Sequence, residues 1–406
     1  MDGSSSKTNI FNARIVSHSN NLNGSVLVEA GKILEISAAN KVIEGVTNIN
    51  AHGNWLAPGF IDLHVHGGGG SDTMDGTPEA LSGLSEWHAS HGTTSLLSTT
   101  MAAPNAELGG VFGALKTAGS QKGANILGFH LEGPYYSHIQ KGAQSEECLV
   151  KAERKHYEEI LSLTDDIKIW SAAPEIEGVL EFGKHISNNG IIAAIGHSDA
   201  TIDDVKQAIE CGFSHVTHLY STMSSIRRIG AYRVAGLLEA AFLFDELTCE
   251  LIADGSHVPV DLIKLALKVK PQGSIALVTD ALRFAGMPDG VYTAAKIIVE
   301  DNVAKLQDRS AFAGSVAGTD MLVRNMVINV GLSVAESVDM MTQVPSKILK
   351  IHDKKGDIKA GLDADLIVFD DNINVTLTMV GGRVVSQSTL ENSKDKESWR
   401  RESDED

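Results

Sequence analysis

The chain is short of cysteine, aromatic residues, long apolar runs and positive charge, and each shortage removes a class of protein. Cys148, Cys211 and Cys249 are its three cysteines. The number is odd and the spacings are wide, so neither a disulfide framework nor a zinc ribbon follows. No stretch approaches the length of a membrane span, and the polar start MDGSSSKTNIF lacks the apolar segment of a signal peptide. No membrane partner is expected, and the expected setting is the reducing cytoplasm. Lysine and arginine number 34 against 52 aspartates and glutamates, a formal net charge of −18. Such a field repels nucleic acid, and an anionic small substrate would need a local basic patch. Aromatic residues make up 5% of the chain while glycine occurs 39 times. The core must then be built from small and branched side chains, which suits tightly wound βα units. At 406 residues, 43% of them hydrophobic, there is enough chain for one large domain and a smaller one.

Residues 1–57 read as short strands, with NARIV, SVLVEAGKILEI and VIEGVTNINAHGNWLAPG alternating in polarity between glycines and asparagines. Residues 356–385 read the same way. A small β-sandwich domain assembled from both chain ends, 1–57 and 353–390, is expected. Residues 58–352 have another rhythm. Eight apolar runs occur there: FIDLHVH, TTSLLSTT, NILGFHLEG, IKIWSAAPE, GIIAAIGHS, HVTHLY, CELIADGSH and IALVTDA. Segments of helical length separate most of them, such as 78–91 and 200–212, with Thr77 and Ser198 as N-caps. Strands alternating with helices imply parallel βα units, and eight of them fit an α/β fold of the closed (β/α)8 TIM-like barrel type. The last unit is interrupted by residues 283–317, which read as a loop with a hairpin; helical stretches follow around 318–331 and 333–350. Residues 391–406 are charged and without apolar periodicity, and are expected to form a disordered tail.

Groups able to bind metal recur at the ends of these runs. The first run ends in Asp62, His64 and His66, which the two-residue strand period puts on one face, and the glycines at 67–70 allow close approach of backbone or substrate. Glu132 ends the third run just before a Gly-Pro turn, and a carboxylate on an apolar strand must be paired or metal-bound. His197 ends the fifth run, and the sixth contains His215 and His218. Each histidine alone reads as well as a rim residue. Glu132, His197 and His218 together, at one end of different strands, make the ligand set of a catalytic zinc or similar ion. Asp280 ends the eighth run, where it could be a ligand, a helix cap or a general base. His257, at the end of the seventh run, is a peripheral candidate. Arg227, Arg228 and Arg233 form a basic cluster suited either to a phosphate or to surface ion pairs.

The segments PGFIDLHVHG, HLEGP, GHS, THLY, ADGSH, LVTDA and AGS stand in the order and spacing of N-acetylglucosamine-6-phosphate deacetylases of the amidohydrolase superfamily, and the chain resembles that family over residues 9–385. The resemblance implies a divalent metal, one or two ions per chain, with zinc, iron, manganese or cobalt all suited to the ligands. It implies a first ion held by Glu132, His197 and His218, a second near His64 and His66, and Asp280 as catalytic acid and base. It further implies that Ala143, Gln144, Ser221 and Thr222 line the sugar site, together with Asp254, His257, Phe312, Ala313 and Gly314. Family members are homodimers in which an arginine of one subunit reaches the phosphate bound by the other, a part for Arg228 or Arg233. The expected partner is a phosphorylated N-acetyl amino sugar, of the glucosamine or the galactosamine series. The chain departs from the family pattern at Ser221 and Thr222, where many members have Asn-Ala, and at Gln144, where many have His. Gln donates hydrogen bonds but does not titrate. Cyclic amide hydrolases of the superfamily carry a modified lysine at the end of the fourth strand, whereas Lys168 lies early in that run. A catalytically dead scaffold is disfavoured because every candidate ligand is present.

Overall fold

The computed structural model describes residues 7–118 and 122–388. The charged segment 391–406 lies outside the described residues. Eight strands form one parallel sheet in sequence order: β1 (Phe60–Val65), β2 (Thr93–Thr100), β3 (Asn125–Glu132), β4 (Ile167–Ala172), β5 (Ile192–Ile195), β6 (Phe213–Val216), β7 (Thr248–Leu251) and β8 (Ile275–Leu277). Ile61, Leu97, Ile169, Ala194 and Ala276 come from five of these strands yet pack together, so they fill the interior of a barrel. Val344, from the helix Gln343–Ile348, joins them and plugs the N-terminal end. Outside, Trp170, Phe129 and Phe213 pack with Phe182 and Val205 of the surrounding helices. Burial of each such side chain contributes about 1.5–3 kcal/mol.

The seam between β1 and β8 has three parts. At the C-terminal end, Asp280 N donates to His64 O at 2.9 Å and His66 N donates to Ala281 O at 3.0 Å. In the middle, the Thr279 hydroxyl donates to Asp62 Oδ2 at 2.6 Å. At the N-terminal end, Leu277 N donates to Met340 O at 3.0 Å and Ile61 N donates to Met341 O at 2.7 Å. A turn between the last two helices therefore stands in for a missing ladder. Burial pushes the Asp62 carboxyl up to about 7, although its bonds with Thr279 and His64 oppose the shift.

Local chemistry explains the helix starts. Pro78–Ala89 begins after Thr77, whose hydroxyl accepts from Ala80 N at 3.2 Å. The second expected cap is displaced. Helix Ile202–Glu210 is capped by Thr201 in a reciprocal pair with Asp204, not by Ser198. Ser198 donates instead to Glu175 at 2.7 Å, and its backbone bridges to Met223. Residues 283–317 hold a three-stranded antiparallel sheet, Gly290–Tyr292, Ile297–Glu300 and Val303–Leu306, where a hairpin was expected. The third strand forms because Phe284, Val299, Ala304 and Ala313 give the insertion its own apolar cluster.

Strands from both chain ends make a separate sheet domain. Trp55–Pro58 pairs antiparallel with Leu366–Phe369 and parallel with Thr8–Val16, which joins the two ends of the chain. The sheet folds over a core of Ile10, Val26, Ile33, Leu56, Val368 and Met379. Ala364 N donates to Gly31 O at 2.8 Å and completes the closure. Among the described residues, no helix is long and apolar enough to cross a membrane.

Candidate metal centre and active site

The C-terminal ends of the barrel strands bring Glu132, His197 and His218 to one point. His197 Nε2 lies 3.0 Å and His218 Nε2 3.1 Å from the same oxygen, Glu132 Oε1, and the two nitrogens are 3.2 Å apart. A second group adjoins the first. His64 Nε2 and His66 Nε2 are 3.3 Å apart, and they stand 3.4 and 3.2 Å from Asp280 Oδ1. His66 Nε2 is also 3.4 Å from Glu132 Oε2, so the two groups share a wall.

Hydrogen bonding fixes the tautomers of His197 and His64. His197 Nδ1 lies 2.9 Å from the Gln140 carbonyl oxygen, which can only accept. Nδ1 therefore carries the proton, and in the neutral ring Nε2 presents a lone pair to the Glu132 carboxylate. His64 follows the same logic, with Nδ1 3.0 Å from Glu250 Oε2 and Nε2 turned toward Asp280. Lone pairs converging on carboxylate oxygens repel one another unless a positive charge sits among them. The electrostatics carry the same demand. Burial disfavours a charged His64, yet Asp280, Glu250 and Glu132 outweigh it and raise its pKa to about 9. His66 is raised well above the usual imidazole range against the same burial, by Asp280 and Glu132. Burial would raise Glu132, but positive charge on His197 and hydrogen bonds from His197, His218 and His66 hold it well below the usual carboxylate range. The donor set of two imidazoles and a carboxylate, with a further pair beside it, fits divalent cations.

The backbone is bent to achieve this. His197, His218 and Asp280 have φ of 48°, 30° and 49°, in the left-handed region that non-glycine residues avoid. Such conformations cost about 1–3 kcal/mol each and persist where surrounding bonds enforce them. Here Asp280 is pinned by its N–H on His64 and by Ser315 N donating to Asp280 O at 2.8 Å.

A cavity of about 700 Å³ opens over the two groups. Gln144, Ser221 and Thr222 line it, as do Ala143, Phe312, Ala313 and Gly314. His257 also lines it; Asp254 stands behind, accepting from His257 Nδ1 at 2.8 Å. Arg228 and Arg233 are not among the lining residues. They pair across a short antiparallel hairpin, Arg227–Ile229 with Tyr232–Val234, and are exposed, while Arg227 bonds Asp199. The glycines after β1 serve backbone packing: a Cβ on Gly67 would stand 2.3 Å from Ser71 O and 2.7 Å from Arg283 N. Gly142 lines the cavity with φ of +56°, and a Cβ there would meet Thr222 at 2.8 Å. Lys168 belongs to β4, which ends at Ala172, and it lines a cleft with Thr164 and Asn189 away from these groups.

Several neighbours escape a reading of the sequence. Glu250 is fully buried and accepts from His64 Nδ1 at 3.0 Å, His215 Nε2 at 3.3 Å and His218 N at 3.1 Å. Those partners hold its pKa well below the carboxylate range despite burial. The signal was available, since a Glu inside the apolar run CELIA raises the same question as Glu132. His130 packs edge-on against His64 with ring centroids 4.5 Å apart, and burial lowers its pKa to about 3. Tyr136 stacks on His197 at 4.4 Å, a contact no sequence pattern announces.

A parallel eight-stranded barrel with paired histidines at the end of its first strand, and a carboxylate–imidazole set at the ends of later strands, defines a metal-dependent hydrolase class. The amidohydrolase family model matches residues 55–385, and the chain belongs to that family. Its relatives point to one branch. The N-acetylglucosamine-6-phosphate deacetylase of Bacillus subtilis is 34% identical over 89% of this chain and 92% of its own length. The N-acetylgalactosamine-6-phosphate deacetylase of Escherichia coli O157:H7 is 32% identical over 82% of this chain and 88% of its own. The crystal structure of N-acetylglucosamine-6-phosphate deacetylase from Pasteurella multocida superimposes with a TM-score of 0.87 at 30% identity, covering 94% of this chain and all of that one. A mutant of the Mycobacterium smegmatis enzyme in complex with N-acetyl-D-glucosamine-6-phosphate gives 0.85 at 26% identity, covering 95% of this chain.

Proposed function

We propose that this chain hydrolyses the acetamide of N-acetylglucosamine-6-phosphate to glucosamine-6-phosphate and acetate. The observation that carries the reading is the convergence of Glu132, His197 and His218 beside the Asp280 carboxylate at the floor of a single cavity. Glu132, His197 and His218 would hold one divalent cation, zinc in the first instance, and His64, His66 and Asp280 a second. When bound, such a cation supplies Lewis acidity toward water and the acetyl carbonyl.

The protein's own groups do the rest. Asp280 begins as a carboxylate, because His64 and His66 lower its pKa against burial. Its carboxylate accepts a proton from water as the water oxygen bonds to the acetyl carbon. It returns that proton to the nitrogen as the C–N bond breaks. The bond from His257 Nδ1 to Asp254 fixes the ring, whose centroid is 4.6 Å from that of Phe312, so the two frame one side of the sugar's space.

The phosphate needs a cation in a chain of net charge −18. Among the described residues, Arg283 is the one arginine or lysine lining the cavity, and it is paired with Asp75. This supports a homodimer in which Arg228 of the partner subunit or Arg233 of the partner subunit meets the phosphate. The exposed apolar residues Ile226, Ile229 and Tyr232 on that hairpin suit such a contact. The reading includes a cytoplasmic setting, where phosphorylated sugars are retained.

The test is acetate release from N-acetylglucosamine-6-phosphate and from its galacto epimer, with metal content measured on the same sample. Release that chelation abolishes supports the reading. Preference for the galacto epimer would transfer it to the second sugar, as the relative from Escherichia coli suggests. No release from either, with metal bound, would refute it.

A further inference from the structure

Gln144 is 4% exposed at the cavity wall, and both ends of its amide are engaged by the protein. Ala102 N donates to Gln144 Oε1 at 2.9 Å. A backbone N–H can only donate, so it identifies the oxygen end of the amide and removes the usual ambiguity between O and N. The nitrogen end must then face Glu132, and Nε2 lies 2.6 Å from Glu132 Oε2. The other neighbour of Nε2 is Met101 Sδ at 3.7 Å. Neither amide hydrogen remains for a sugar or for a developing oxyanion.

The consequence falls on Glu132. Its Oε1 faces His197 Nε2 and His218 Nε2, while its Oε2 takes the amide hydrogen. A carboxylate held by one oxygen cannot swing to offer both oxygens, or exchange them, without breaking a short charge-assisted bond. The far end of that bond is anchored on the main chain just beyond β2, at Ala102, so the orientation is built into the barrel rim.

We propose that Gln144 is a positioning residue for Glu132. It fixes which carboxylate oxygen joins His197 and His218, and it acts on cation retention and not on recognition of the sugar. The inference rests on the reading of Glu132, His197 and His218 as ligands of a catalytic cation.

The experiment compares wild type with Gln144→Met, which matches the side chain in length but removes the donor and the acceptor. Gln144→Asn keeps the amide one methylene short of Glu132 and serves where the first variant does not fold. Zinc affinity is measured by competition with a chromophoric chelator. KM and kcat for N-acetylglucosamine-6-phosphate are measured separately at saturating zinc. The expected result is zinc binding weakened by about tenfold to a hundredfold, the usual range for groups that orient a ligand, with KM at saturating zinc close to wild type. Unchanged zinc affinity with a KM raised tenfold or more would overturn the inference and make Gln144 a sugar contact. Weakened zinc binding in proteins that release no acetate would uphold the positioning role and refute the deacetylase reading. A wild-type protein that binds no zinc would overturn both.

Discussion

Asp280→Asn isolates the proton-transfer role of Asp280 unusually well. Asp280 has φ of 49°, and asparagine is one of the few residues that tolerate this region. The main-chain bonds to His64 and from Ser315 do not involve the side chain, so the backbone should stay in place. What disappears is the capacity of the carboxylate to take and return a proton. General acid–base catalysis of this kind contributes on the order of 10²–10⁴ in rate. At about 1.36 kcal/mol per factor of ten, that is roughly 2.7–5.4 kcal/mol of barrier. The neighbouring His64 and His66 lie 3.4 and 3.2 Å from Asp280 Oδ1. The substitution should therefore lower metal content by no more than the share these histidines hold, leaving the ion at Glu132, His197 and His218. The assay is acetate release under saturating sugar phosphate, with metal stoichiometry and KM from the same preparation. The expected outcome is a kcat reduced by at least two powers of ten and a KM within a few fold of wild type. Turnover within threefold of wild type would refute the role argued for Asp280.

Other predictions follow from the buried groups. Glu250→Gln replaces an acceptor of three N–H donors by an amide, so it should lower stability by about 1–3 kcal/mol in denaturant titrations and loosen the cation near His64 before the one near His197. Prolonged chelation should lower the Tm of the wild type, because the converging lone pairs are then opposed only by protons, and zinc should restore it in a concentration-dependent way. Asp320 accepts from His91 Nδ1 at 2.8 Å, and His91 with Arg324 lowers its pKa against burial. A lowered folded pKa stabilises above the unfolded value of about 3.9 and is lost as pH falls through the folded one. Asp320→Asn should then be less stable than wild type at pH 7 by about 1–3 kcal/mol, and the gap should close in acid; a gap independent of pH would refute the ion-pair account.

The barrel was legible because each strand is a short apolar run between helical lengths, and all eight runs contain or adjoin an observed strand. The ligand candidates were legible because polar groups at the ends of apolar runs are conspicuous. What escaped detection depends on contacts between distant segments. A buried Glu in CELIA asks for a partner, but that the partner is His64, 186 residues away, is written nowhere near it. The fate of Gln144 hangs on Ala102 N, a main-chain donor no sequence displays. The left-handed conformations of His197, His218 and Asp280 are ones that His and Asp tolerate but seldom adopt, and the bonds that enforce them come from distant segments. The third strand in the 283–317 insertion and the shift of a helix cap from Ser198 to Thr201 are local choices made by packing and by a bridge to Met223.

The seam has a bearing on how this chain is made. Met340 and Met341 complete the join between β1 and β8, and the sheet that unites the chain ends needs residues 366–369. Most of the polypeptide must therefore leave the ribosome before either can close. At roughly 5–20 residues per second, β1 waits tens of seconds with an unpaired edge exposed. Parallel sheets with such distant pairings fold slowly and are vulnerable to association meanwhile. A chain ending before residue 340 should be caught in that state, insoluble or held by chaperones, although all the residues discussed as metal ligands would already be present.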